Sequence, residues 1–342
     1  MIRRLTRSSG SQMRLEIMDS SHVGLCRREA QRLADACGFD ATSSGRVAIA
    51  ATELANNLIR HAGRGEMLLQ AVGEGPELQI ELLSIDRGPG IACIERSLRD
   101  GYSTAGSAGT GLGAVRRLSA TFDIHSRPGA GTVVLSRIGA GRGPFRKASE
   151  IEFGAVSVAM HGEFECGDGW SVVREGTRHA LLVVDGLGHG ALAAAAAAAA
   201  IAAFGAQPFA EPEQAMHELH RHLNGTRGAA AACALLDPEK SLLRYAGVGN
   251  ISGVIATACA QRGLLSHNGT LGATLRRAQQ LDYPWHAGSV LVMHSDGLSS
   301  RWSLAGYQNL GACHPAVIAG VLYRDRSRQR DDATVIVASR RP

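Results

Sequence analysis

The stretch STAGSAGTGLGAVRRL, Ser103 to Leu118, starts as a linker would and ends as a helix would. Gly, Ser and Thr build a featureless hinge as readily as a loop whose backbone N–H groups gather around an anion, so composition leaves the two level. The flanking sequence separates them. Upstream, Val47 to His61 has apolar residues at helical spacing without Pro or Gly and reads as a helix. MLLQAV and ELQIELLSI then bracket GEGP, residues 73–76, as a hairpin. Downstream, after a helix reaching about Ala120, come FDIHSR, a turn at PGAG and the strand TVVLSRI. The result is an α/β sandwich from Met13 to Ile138 in which the Gly-rich stretch opens a helix.

GAGRGPFRKA, residues 139–148, has no periodicity and combines Gly, Pro and basic residues, as a linker does. Beyond it the pattern changes to short strands: GAVSVAM, HALLVVD, AACALLD, LLRYAGVG, SVLVMHSD and ATVIVAS, with helical stretches at 191–204 and 211–223. Helices packed outside strands predict a second, α+β sandwich. The expected division is therefore an extension over 1–12, a first domain over 13–138, a linker over 139–148 and a second domain over 149–342.

With 342 residues the chain can bury two cores. The longest apolar run, Ala191 to Phe204, is mostly alanine and too short to cross a bilayer. MIRRLTRSSGSQ is basic but leads into no hydrophobic region, so a secretory signal is not expected and a cytoplasmic location is. Seven dispersed cysteines without a Cys-x-x-Cys pair predict reduced thiols. The net charge of +5 is spread out: 20 basic and 15 acidic residues up to residue 150, then 16 of each. Without a basic stripe interleaved with aromatics, nucleic acid is not an expected partner.

In the first half, Glu53 and Asn57 stand four apart in ATELANNLIRHA and share a helix face. Asp86 ends a strand and enters DRGPG, where two glycines permit a tight turn. GTGLG at 109–113 opens a helix, whose positive end and N–H groups face whatever lies above it. Singly these are an ordinary helix face, a turn and a loop; their order is the signal. ELANN, DRGPG and GTGLG together resemble the N, G1 and G2 boxes of the GHKL ATPase and kinase superfamily. Within it, the RsbT-like serine/threonine switch kinases of bacterial partner-switching systems are the most similar.

That resemblance implies a Bergerat-type α/β sandwich binding ATP with Mg²⁺. Asn57 would hold the cation and Glu53 would accept the proton of an attacking hydroxyl. Asp86 would receive the adenine amine beside Gly88 and Gly90, with Thr132 assisting. Gly109, Thr110, Gly111, Leu112 and Gly113 would cradle the phosphates, which makes the opening stretch a phosphate loop. STAS-domain proteins are the implied phosphoacceptors. A sigma factor, a downstream phosphatase and a second copy of the chain are the other partners the resemblance admits.

In the second half, CGDGW, VVDGLGHG, HSDGL and RDDATVIV place Asp168, Asp185, Asp296, Asp331 and Asp332 in short acidic motifs. Each alone reads as an Asp-Gly turn or a loop. Several carboxylates at strand ends without basic partners repel, however, unless divalent cations sit between them. The set resembles the metal-dependent PPM serine/threonine phosphatases, in their SpoIIE/RsbX-like branch, and implies an α-β-β-α sandwich. Asp168, Asp185, Asp296 and Asp331 would hold two Mn²⁺ or Mg²⁺ ions with the Gly186 carbonyl, Asp332 being able to replace its neighbour. Asp185 would be central to hydrolysis of phosphoserine or phosphothreonine. His189 reads as a loop histidine, His217 and His220 as a solvated helix face, and the alanine tract as a packed core helix.

The expectation is a bifunctional partner-switching regulator that phosphorylates and dephosphorylates STAS-type proteins. Its rivals are a sequestering switch that binds ATP, as anti-sigma factors do, and a phosphatase with an ATP-sensing domain.

Overall fold

The computed structural model describes residues 6–9, 12–98, 111–141, 150–257 and 260–341. Two compact units emerge, Gln12–Ala148 on one side and Met1–Ser11 with Ser149–Pro342 on the other. The chain opens with strand β1 (Thr6–Ser9), which belongs to the second unit.

The first unit runs β2 (Met13–Ile17), α1 (Ser20–Ala36), α2 (Ala41–Asn57), β3 (Gly65–Val72), β4 (Gln79–Ile85), the single turn α3 (Ile94–Ser97), α4 (Gly111–Leu118), β5 (Thr121–Ser126) and β6 (Thr132–Gly139). Aspartates start both long helices: Asp19 accepts from Ser21 N at 2.8 Å, and Asp40 from Ser43 N at 2.6 Å. The strands form an antiparallel sheet in the order β2-β3-β4-β6-β5. Val47, Leu54 and Leu58 pack over Leu69, Ile80 and Ile138 in one core. The helix expected over Val47 to His61 begins six residues earlier, at Ala41, just after its Asp40 cap. From Leu58 to Ala62 it continues as one π-helical turn, closed by Gly63 at φ 76°. Such insertions into a helix are frequent at functional sites.

On the opposite face of this sheet Glu81 is fully buried. Its Oε2 accepts from Arg137 Nε at 2.7 Å and its Oε1 from Gln70 Nε2 at 2.6 Å. A buried carboxylate persists only with such a partner set.

The second unit continues with β7 (Ile151–Val158), β8 (Asp168–Glu175), β9 (Arg178–Gly186), α5 (Ala191–Ala206), α6 (Pro212–His222), β10 (Ala229–Asp237) and β11 (Leu242–Val248). It ends with β12 (Ser252–Ala256), β13 (Gln261–Leu264), β14 (Ser266–His267), β15 (Leu281–Pro284), β16 (Val290–His294), α7 (Pro315–Arg326) and β17 (Ala333–Arg340). One sheet has the order β1-β8-β9-β10-β11-β14, with β15 also on β11; the other has the order β13-β12-β16-β17-β7. Trp170, Leu181, Tyr245, Trp285, Met293 and Ile336 fill the space between them. On the outer face of the first sheet, Ala196, Ala200, Phe204 and Met216 of α5 and α6 cover Leu182 and Val184. Helix α7 closes the other side against β7 and β17, so near that a β-carbon on Gly154 would lie 2.0 Å from Ala316 N. The layers are therefore α-β-β-α.

Within the amino-terminal extension, which had no expected role, Thr6–Ser9 pair with β8, Thr6 opposite Arg174 and Ser9 opposite Ser171. The alanine tract is the expected packed helix. Of the two histidines expected on a solvated face, His217 is exposed, whereas His220 is half-buried and accepts from Gly272 N at 3.0 Å; a loop returning to α6 uses it as a prop. Six of the seven cysteines fall among the described residues, and all six are free thiols. Among the described residues no helix is long and apolar enough to cross a membrane.

Candidate functional sites

In the first unit, α2, the turn after β4, α4 and β6 enclose a cavity of about 410 Å³, a size that suits a nucleotide-scale ligand. Asn57, Asp86, Gly90, Gly111, Leu112 and Thr132 all line it. Sequence reasoning did not single out His61, Ser84, Cys93 or Arg96, which line it too. His61 comes from the π-helical turn, which no periodicity signals.

Asp86 is oriented from the main chain: its Oδ1 accepts from Gly88 N at 2.7 Å and Thr132 N at 3.1 Å. A β-carbon on Gly88 would lie 2.6 Å from Ala62 Cβ, and one on Gly90, at φ 73°, would lie 2.2 Å from Arg127 O. Both glycines are thus demanded by close approach. Thr132 Oγ1 is 2.8 Å from Ser126 Oγ. Glu53 and Asn57 meet the first residue of α4: a β-carbon on Gly111 would lie 3.1 Å from Glu53 Oε2 and 3.5 Å from Asn57 Oδ1. Asn57 Nδ2 is buried and has no hydrogen-bond partner among the described residues. An orphaned amide beside the N-terminus of a helix is a polar group awaiting a ligand. The N–H donor fits a phosphate oxygen, and Asn57 Oδ1, beside Gly111, is the hard oxygen donor that suits the phosphate's cation. Gly113 lies buried within α4, while Gly109 and Thr110 lie outside the described residues.

In the second unit the acidic motifs converge at one end of the sandwich. Asp168 begins β8 directly opposite Asp185 near the end of β9, and Asp296 follows β16. Asp331 and Asp332 lead into β17. Gly297 presses on this last motif, for a β-carbon there would lie 1.9 Å from Asp332 O. Gly186 N donates to Gly167 O at 3.0 Å, joining the Asp185 turn to the loop before Asp168.

The carboxylates feel one another. Burial pushes the Asp185 carboxyl up to about 7, and the charges of Asp296, Asp331 and Asp332 push the same way. Burial raises Asp168 well above the ordinary range, Asp185 adding to it while the Ser295 hydroxyl, 2.5 Å from Asp168 Oδ2, works against the rise. Asp331 is raised by burial, with Asp296 and Asp332 contributing. Among the described residues no three Asp, Glu, His or Cys side chains close tightly around one point. The cluster is open, with Asp168 turned onto Ser295 and Asp296 accepting from Asn250 Nδ2 at 2.8 Å. Hard oxygen donors repelling one another fit divalent cations by their chemistry.

The two neighbouring aspartates differ. Asp332 is 2% exposed, and both its oxygens accept main-chain N–H groups, Met160 at Oδ1 and Gly167 at Oδ2, each at 2.7 Å. Asp331 is exposed and, among the described residues, receives only the N–H of Asp332, at 3.0 Å. His189 Nδ1 pairs with Glu163 Oε1 at 2.7 Å at the edge of the cluster. Ser295 and Asn250, which hold the site's carboxylates, carry no motif of their own; only the adjacency of Ser295 to Asp296 hints at them.

A fold of this kind with these two centres defines a GHKL-like ATPase unit joined to a PP2C-like phosphatase unit, and comparison with known proteins agrees. The family described as histidine kinase-like ATPase domain matches residues 18–137, and stage II sporulation protein E (SpoIIE) matches residues 175–341. Serine/threonine-protein kinase RsbT of Bacillus subtilis (strain 168) is 32% identical over 120 residues, which are 35% of this chain and 90% of that protein. One solved structure, described as the bacterial stressosome, a modular system adapted to control secondary messenger signaling, is 32% identical with a TM-score of 0.52; it covers 55% of this chain and 98% of its own. RsbX in complex with magnesium is 21% identical with a TM-score of 0.49, over 55% of this chain and 94% of that one. The chain belongs to the RsbT kinase family through its amino-terminal part and carries a SpoIIE/PP2C phosphatase domain in its carboxy-terminal part.

Proposed function

We propose that the chain is a bifunctional partner-switching regulator, one unit transferring phosphate from ATP to Ser or Thr of STAS-type proteins and the other removing it. The observation that carries this reading is that the groups each reaction needs stand together in their own unit. In the first, Glu53 accepts the proton of the substrate hydroxyl as that oxygen bonds to the γ-phosphorus and ADP departs. Asn57 contributes a Mg²⁺ ligand, Gly111 and its neighbours donate N–H groups to the phosphates, and Asp86 takes the adenine amine between Gly88, Gly90 and Thr132. In the second, Asp168, Asp185, Asp296, Asp331 and the Gly186 carbonyl hold two Mn²⁺ or Mg²⁺ ions, which supply charge neutralisation and an acidified water. Asp332 anchors the loops that carry Asp168.

The test is a time course with purified chain, candidate STAS proteins, radiolabelled ATP and Mg²⁺ or Mn²⁺. Glu53→Ala should abolish labelling but spare dephosphorylation, and Asp185→Ala should do the reverse. Label that accumulates only when the phosphatase is disabled establishes opposing enzymes. ATP binding without label in any variant would sink the kinase half and favour an ATP-dependent sequestering switch.

A further inference from the structure

Three large apolar side chains that remain in water gather around the carboxylate centre of the second unit. Phe164, on the loop leading to Asp168, is 103% exposed; Leu187 follows Gly186 at 43%, and Leu192 opens α5 at 60%. The loops carrying them are packed together. Gly186 N bonds Gly167 O, and Glu163 stands so near Gly190 that a β-carbon there would lie 3.2 Å from Oε2. Among the described residues of the second unit, Leu265 is the one other large apolar side chain so exposed, and apolar groups concentrated at one place mark a face that a partner covers.

A cation on the same rim narrows the occupant. The Arg227 guanidinium lies over the Asp185 turn: a β-carbon on Gly188 would be 2.8 Å from its Nη1. Leu187 N donates to Gly228 O at 3.0 Å and fixes the Arg227 loop against that turn. Arg227 is exposed and forms no ion pair among the described residues. An unpaired guanidinium suits a phosphate dianion. A small phosphate ester would leave Phe164 and Leu192 in water, whereas a polypeptide carries side chains on either side of its phosphorylated residue.

Resting on the phosphatase reading above, we propose that Phe164, Leu187 and Leu192 form a docking rim that selects phosphoserine or phosphothreonine segments with apolar side chains beside the phosphorylated residue. The rim sets substrate preference and takes no part in the bond cleavage.

The experiment uses the intact chain with Mn²⁺ and three probes: p-nitrophenyl phosphate and two synthetic phosphothreonine peptides, identical except for Leu and Ile or Ser and Gly beside the phosphothreonine. The wild type should prefer the apolar peptide in kcat/KM by about tenfold, the scale of a few apolar contacts. Phe164→Ser with Leu192→Ser should bring that peptide down to the level of the polar one and leave p-nitrophenyl phosphate hydrolysis unchanged. Equal use of both peptides by the wild type, or a preference that survives the double substitution, overturns the rim. Failure of the wild type to release phosphate from any of the three probes overturns the phosphatase reading itself, and the rim with it.

Discussion

Replacing Asp332 by Ala should unfold the second unit more easily, whereas replacing Asp331 should disable it while leaving it folded. Two main-chain donors, Met160 N and Gly167 N, each lie 2.7 Å from the buried Asp332 carboxylate. Hydrogen bonds to charged groups contribute about 1.5–3 kcal/mol each, so losing both costs about 3–6 kcal/mol. Removing one negative charge from a cluster of carboxylates offsets part of this, which leaves ~3 kcal/mol. For a unit of this size the melting point should fall by about 6–12 °C. Asp331→Ala breaks only the contact with the neighbouring N–H and relieves repulsion, so its melting point should stay level or rise. The assay pairs thermal unfolding of both variants with Mn²⁺-dependent hydrolysis of p-nitrophenyl phosphate. An Asp332→Ala protein as stable as wild type yet inactive, beside an Asp331→Ala protein that keeps its activity, would reverse the two roles and refute the argument.

His179 is held neutral, burial pushing it down to about 3 with Arg174 adding to the effect. Below pH about 6.5 the unfolded chain takes up a proton that the folded one refuses, so stability is lost as pH falls from there towards 3, by about 2 kcal/mol at pH 5. Urea unfolding at pH 7 and pH 5 should show a shallower loss for His179→Leu than for wild type, and equal slopes would contradict this. Arg137→Met strands the fully buried Glu81 and should cost about 3–5 kcal/mol in the first unit, with Glu81→Gln in the same chain recovering much of it. Deleting residues 1–11 removes the strand on β8 and should lower the unfolding temperature of the second unit without changing nucleotide affinity in the first. Calorimetry showing no shift would mean that β1 adds nothing there.

Much of the fold was legible because most strands announce themselves by apolar runs ending in Gly or Asp. The elements that escaped lack that contrast. Helix α1 buries only Val23, Cys26, Ala30 and Ala34 between charged neighbours, so its stripe is small. Helix α7 is buried on nearly every side and has no periodicity to read. Strand β1, TRSS, is polar and exists through pairing with the side of β8 that β9 leaves open, a pairing that no local pattern encodes.

The sites divide along the same line. Groups on consecutive turns of one helix or at the ends of apolar strands can be found from spacing, as with Glu53 and Asn57 or Asp185 and Asp296. Groups whose roles depend on remote main chain cannot. Asp331 and Asp332 are chemically identical neighbours in the irregular segment before β17, and only the N–H groups of Met160 and Gly167, over 160 residues away in the chain, turn Asp332 inward while Asp331 stays exposed. Arg227 is similar: in the sequence it is one arginine in a Gly-rich loop, and only the hydrogen bond from Leu187 to Gly228 sets it against the Asp185 turn. Spacing thus reaches the donors of each centre, while the residues that orient those donors or steer a substrate to them depend on loop-to-loop packing. They are also the residues whose substitution should separate chemistry from recognition.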